Sequence, residues 1–194
     1  MNVLNYKISE LNSLKPDSGR ILLAEPFMKD PYFKRSVVLL VEHNSSGSIG
    51  FILNKPMKIK LNDALHDFPE FNVPVYMGGP VDPDKLHFIH SVPDIEDSFQ
   101  ITKNLFWGGH FEQIKELIIA NKISEWQIKF FIGYSGWTEE QLQNEIKEDS
   151  WLITKVNNDA VFQTPTKNLW SQELAKMGKM QSIMANFPED PVLN

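Results

Sequence analysis

The chain has 194 residues, 42% of them hydrophobic and 11% aromatic, no cysteine, and a formal net charge of −6 with a pI near 5.4. A chain of this length buries about 70% of its unfolded surface in one core, so one domain is the default; the missing cysteine excludes disulfides, thiolate catalysis and thiolate-held zinc, and the acidic balance opposes a nonspecific grip on nucleic acid. No run approaches the ~20 apolar residues of a membrane span and the first residues lack an apolar signal core, so a cytoplasmic setting without membrane contact is expected.

Residues 1–19 read as an N-terminal arm ending in the Pro16 to Gly19 stretch, and 20–194 as a single domain, because no repeat, low-complexity run or linker tract divides them. Ile21 to Ala24 reads as a strand, after which Pro26 and the Asp30-Pro31 step demand a shaped loop. Val37 to Val41 is an unbroken apolar run, the pattern of a central strand covered on both faces. Asn44 to Gly47 supplies turn residues, and Ile49 to Leu53 returns as the second strand of a hairpin. A four-residue turn there sets His43 opposite Ser48, Val41 opposite Gly50, Leu39 opposite Ile52 and Val37 opposite Asn54. Arg35, Asn54 and Lys55 then gather at the open end, about 20 Å from Glu42 and His43.

Asn62 is placed to cap a short helix through Phe68, and Val73 to Met77 reads as a strand ending at Gly78-Gly79-Pro80. Leu86 to His90 and Phe99 to Thr102 follow as strands. Phe111, Ile114, Leu117 and Ile118 share one face of a helix over His110 to Asn121, and Glu125 to Ile132 returns to strand. Thr138 and Gln141 form a capping box, with Trp137 and Leu142 as its hydrophobic staple. Trp151 to Val156 and Ala160 to Phe162 read as the last strands, and Leu169 to Met177 as a helix stopped by Gly178. Hairpins mixed with helices, without regular βαβ alternation, give an α+β fold: one mixed, mostly antiparallel sheet flanked by helices.

Candidate chemistry is sparse. Gly133-Tyr134-Ser135-Gly136 departs from the G-x-S-x-G nucleophile elbow at Trp137, and a tight strand-to-helix connection is the simpler reading. His87 and His90 are three apart on a strand and point to opposite faces, a poor chelating pair. His66 and His110 read as surface or capping residues, and Gly78-Gly79-Pro80 lacks phosphate-loop spacing. The five Trp residues read as core. Two polar sets remain. Asp30, Arg35, Asn54 and Lys55 flank a buried hairpin and either line a ligand or partner site or act as a clamp, in which Asp30 pairs with Arg35 and Asn54 satisfies loop backbone. Glu42, His43 and Asn44 form the second set, for which turn capping by Asn44 beside an exposed Glu-His pair is the plain alternative.

The stretch Arg20 to Pro56 carries A-x-P-x-M-x-D-P-x-F from Ala24, then R-S-V-V-L-L from Arg35, E-H-N from Glu42 and L-N-K-P from Leu53. With Pro74 to Val81 as P-V-x-x-G-G-P-V and Gly133 to Leu142 as GYSGWTEEQL, it resembles the bacterial YqgE/AlgH family over most of its length. Ser135 replaces a more usual alanine and Thr138-Glu139-Glu140 a glycine-containing stretch, while the closing ANFPEDPVLN is similar to the tail of Bacteroidetes members. The resemblance implies a twisted, partly bulged mixed sheet and a transcriptional-regulator label, with no catalytic residues assigned. The combined expectation is a non-enzymatic binding or regulatory module for a protein partner or small-molecule ligand, with no cofactor and no metal. Direct action on DNA is the runner-up, against which stand the charge and the lack of a helix-turn-helix or basic recognition helix. A hydrolase-type enzyme with an unrecognised site comes third.

Overall fold

The structure is a computed structural model that describes residues 7–162 and 166–189, so the last residues of the ANFPEDPVLN tail lie outside it. Strand β1 (Arg20–Ala24) precedes β2 (Val37–Asn44), in which Val37 to Val41 are all 1% exposed or less, as the unbroken apolar run requires. Ser45 and Ser46 turn the chain into β3 (Gly47–Ile52). His43 does face Ser48, but Leu40, not Val41, faces Gly50, and Leu39 faces Phe51 rather than Ile52. Val41 is an extra residue between Leu40 and Glu42, a bulge that shifts the pairing by one and leaves both Leu40 and Val41 fully buried.

Further strands are β4 (Pro56–Lys60), β5 (Pro74–Met77), β6 (Val81–His90), β7 (Phe99–Thr102), β8 (Leu105–Trp107), β9 (Ile128–Trp137) and β10 (Trp151–Lys155). They form one ten-stranded sheet in the order β10-β1-β2-β3-β9-β6-β8-β7, with β5 joining β9 and β4 joining β5. Every pairing is antiparallel except β5 with β9. Helices α1 (Leu61–Ala64), α2 (Phe111–Ile119), α3 (Gln141–Lys147), α4 (Asn158–Phe162), α5 (Leu169–Lys176) and α6 (Lys179–Met184) complete the single α+β domain. Ahead of β1, the Asn12 side chain binds the Trp151 carbonyl and the Ile153 N–H, which caps the free edge of β10.

Several elements differ from the sequence expectation for local reasons. β9 runs on through Gly133 to Trp137, so this motif is strand, not a connection to a helix. A Cβ on Gly79 would stand 2.3 Å from the Tyr134 carbonyl, and one on Gly133, at φ +66°, 2.7 Å from the Gly79 carbonyl oxygen; glycine lets the two motifs pass backbone to backbone. Asn62 lies inside α1, which ends at Ala64, and its amide instead ties down Phe68, Pro69 and Phe71. Residues 160–162 belong to α4, not to a strand, because Asn157 opens a turn by accepting from the Asp159 N–H. α3 begins only at Gln141 with Glu140 as its N-cap, so the expected capping box is half made: Gln141 accepts from the Thr138 N–H at 3.3 Å without a return bond to the Thr138 side chain, while Trp137 and Leu142 do share one apolar cluster. β4, β8 and α6 had no counterpart in the sequence reading.

Candidate functional site

At the open end of the β2–β3 hairpin the polar residues divide their work. Asn54 accepts from the Val37 N–H (2.9 Å) and donates to the Arg35 carbonyl (2.9 Å), so one amide completes the sheet where the ladder stops. Asp30 does not pair with Arg35. Its carboxylate accepts from the Tyr32 and Phe33 N–H groups and shapes the turn through which the loop re-enters the sheet. Arg35, held at φ +52°, donates to the Phe187 carbonyl and places its guanidinium 4.6 Å from the Trp170 ring centroid. The expected ion pair thus becomes two separate fasteners, one local and one reaching the C-terminal helices.

Lys55 is different. It donates to the Pro31 carbonyl at 3.0 Å and lines a recess of 350 Å³ together with Lys34, Arg35, Asn54, Lys167 and Glu189 among others. Burial pushes the Lys55 pKa down, and the charge of Asp30 opposes that fall in part. Lys34 and Glu189 stand 3.8 Å apart on the exposed rim.

The second set is spatially separate, at the hairpin turn. Asn44 donates to Glu42 (2.6 Å) and accepts from the Ser46 N–H (2.7 Å), while His43 Nδ1 lies 2.7 Å from Ser48 Oγ. These bonds close a turn. Ser135 is fully buried, and its hydroxyl donates to the Gly78 carbonyl at 3.0 Å rather than to a side-chain base. His87 packs against Phe51, Trp107 and Tyr134, and His90 lies between the Val92 and Gly108 carbonyls on the other side of the strand. Burial pushes both imidazole pKa values down. His110 caps α2 by accepting from the Gln113 N–H, and His66 is exposed. Trp126 departs from the core expectation, at 72% exposed.

One site escaped the sequence reading. Lys129, on β9, is only 4% exposed; its Nζ donates to the Leu53 (3.1 Å) and Val161 (2.8 Å) carbonyls and lies 4.1 Å from the Tyr76 ring centroid. Burial pushes its pKa down from 10.5 to about 7. A half-enclosed cavity of 170 Å³ adjoins it, walled by Val73, Pro74, Tyr76 and Phe162 with Trp126 in its lining. The signal was present as a single cation inside the apolar run Ile128 to Ile132, where a lysine has no solvent-facing alternative once the strand is central.

Known proteins share this architecture. A protein of Corynebacterium diphtheriae superposes with a TM-score of 0.78 over 94% of this chain and 99% of its own, at 18% identity, a likeness of fold. The AlgH protein of Pseudomonas aeruginosa superposes at 0.70 with 25% identity, over 90% and 98%. In sequence, a UPF0301 protein of Bacteroides thetaiotaomicron is 42% identical across 97% of this chain and 96% of its own. A UPF0301 protein of Parabacteroides distasonis is 41% identical over the same shares. The AlgH-like family model matches residues 21–182, which takes in the central hairpin, the crossing glycine motifs, Lys55 and Lys129, and the chain belongs to that family.

Proposed function

We propose that the chain is a non-enzymatic binding module that takes an anionic group of a small ligand or protein partner into the recess at the open end of the central hairpin. The observation that carries this reading is the lining: among the described residues, Lys34, Arg35, Lys55 and Lys167 stand against one carboxylate, Glu189. Arg35 and Asn54 are occupied by backbone partners and act as the frame. Lys34 shares the rim with Glu189, and for Lys55 the charge of an incoming anion would offset part of the pKa fall that burial causes. A carboxylate or phosphate group would make charge-assisted hydrogen bonds there.

The cytoplasm is the proposed setting, in keeping with a cysteine-free chain in which no described helix is long and apolar enough to cross a membrane. Titration with inorganic phosphate at low ionic strength, followed by amide chemical shifts, tests the site. Shifts should concentrate at residues 34, 55 and 167 and disappear in a Lys55→Gln, Lys167→Gln double variant. Shifts spread evenly over the surface, or unchanged in the double variant, would refute the assignment.

A further inference from the structure

Lys129 lies outside the hairpin recess, and no carboxylate forms an ion pair with it among the described residues. Its two hydrogen bonds end on carbonyl oxygens, and a neutral amine, with two N–H groups, can make both of them, each weaker than from an ammonium. A neutral amine that donates two N–H groups keeps its lone pair. That is the state in which a lysine is a nucleophile towards carbonyl carbon.

We propose that Lys129 and the cavity beside it form a covalent capture site for small uncharged aldehydes or ketones bearing a short apolar chain. The half-open space of 170 Å³ suits a molecule of a few heavy atoms. Its walls set the class. Val73, Pro74, Ile128 and Phe162 favour an apolar chain, and Glu125, the one carboxylate among the described lining residues, disfavours keto acids and phosphorylated sugars. Burial supplies the reactive form, since at neutral pH a group titrating near 7 is about half unprotonated.

The step is reversible and balanced. The Nζ lone pair attacks the carbonyl carbon, the C=O π pair moves to oxygen, and a proton passes from nitrogen to that oxygen to give a carbinolamine. The hydroxyl then takes up one proton from solvent and leaves as water, while the nitrogen pair forms the C=N bond of an iminium. The iminium keeps one N–H, enough to hold one of the two carbonyl bonds.

The full chain treated briefly with propanal and sodium cyanoborohydride at pH 7, then digested and mapped by mass spectrometry, reads the site directly. Hydride reduces the imine carbon and leaves a propyl group on each lysine that reacted. Lys129 should be alkylated at least tenfold faster than the exposed Lys122 and Lys147, and the preference should vanish in concentrated urea. Pyruvate in place of propanal should leave Lys129 unlabelled. Labelling of Lys129 no faster than the exposed lysines would overturn the proposal and leave it a buried structural cation. A preference that survives urea would place the cause in local sequence rather than the cavity, and equal labelling by pyruvate would overturn the ligand class.

Discussion

Replacing Lys129 by Met isolates the free energy tied to its ionisation, a quantity independent of any ligand. Burial lowers the pKa of this 4% exposed lysine from 10.5 to about 7. Between those values the unfolded chain retains a proton that the folded chain has released, so stability rises with pH across that window. The contribution is complete above about pH 10.5 and absent below about pH 7. At about 1.4 kcal/mol for each tenfold change in proton activity, the whole window corresponds to about 5 kcal/mol. Urea unfolding at pH 7.5, 8.5 and 9.5 should therefore show the wild type gaining about 3 kcal/mol on Lys129→Met over that interval. Parallel stability profiles for the two proteins would refute the reasoning. They would mean that the Leu53 and Val161 carbonyls and the Tyr76 face hold the ammonium strongly enough to offset its burial.

Leu39→Ala, at a fully buried position of β2, should cost about 2–5 kcal/mol in urea unfolding, and a near-neutral result would show that this strand is not central. Asp30→Ala and Arg35→Ala should each lower stability by about 1 kcal/mol, with a double-mutant coupling below about 0.5 kcal/mol, because the two side chains serve different partners. A larger coupling would show that the two charges interact after all. In gel-shift titrations the isolated protein should show no sequence preference on duplex DNA, given the net charge of −6; a salt-tolerant shift with one sequence and not its scrambled control would revive the direct-regulator reading.

What was legible in the sequence was what depends on neighbours in the chain. The run Val37 to Val41 announced a central strand, and the glycines around residues 78 and 133 announced tight backbone. A bulge at Val41 leaves no trace in such a run, because with apolar residues on both faces a shift of one changes no polarity pattern. The glycine motifs were visible, but their purpose, one segment crossing the other, is a contact between residues more than 50 apart. The Arg35 bond to Phe187 spans 152 residues and could not be inferred from the loop that carries Arg35. In place of the pairing expected between Asp30 and Arg35, each side chain takes a backbone partner, Asp30 on its own turn and Arg35 at Phe187 after the C-terminal helices.

Arg35 and Lys129 solve the same physical problem in ways that lead to different capacities. Neither forms an ion pair among the described residues, and each leans on main-chain carbonyl oxygen and an aromatic face: Phe187 and Trp170 for Arg35, whose buried Nε has no partner, and Leu53, Val161 and Tyr76 for Lys129. Guanidinium stays charged in any protein environment, so Arg35 can only hold the C-terminal helices against the hairpin. An amine under the same burial gives up its proton near neutrality, which makes Lys129 a group whose charge, hydrogen-bond count and nucleophilicity all change across the physiological range. Of the cations drawn into this fold, Lys129 therefore has the clearest capacity for chemistry, Arg35 serves as a fastener, and Lys55, half-buried in the lining of the recess, is suited to binding.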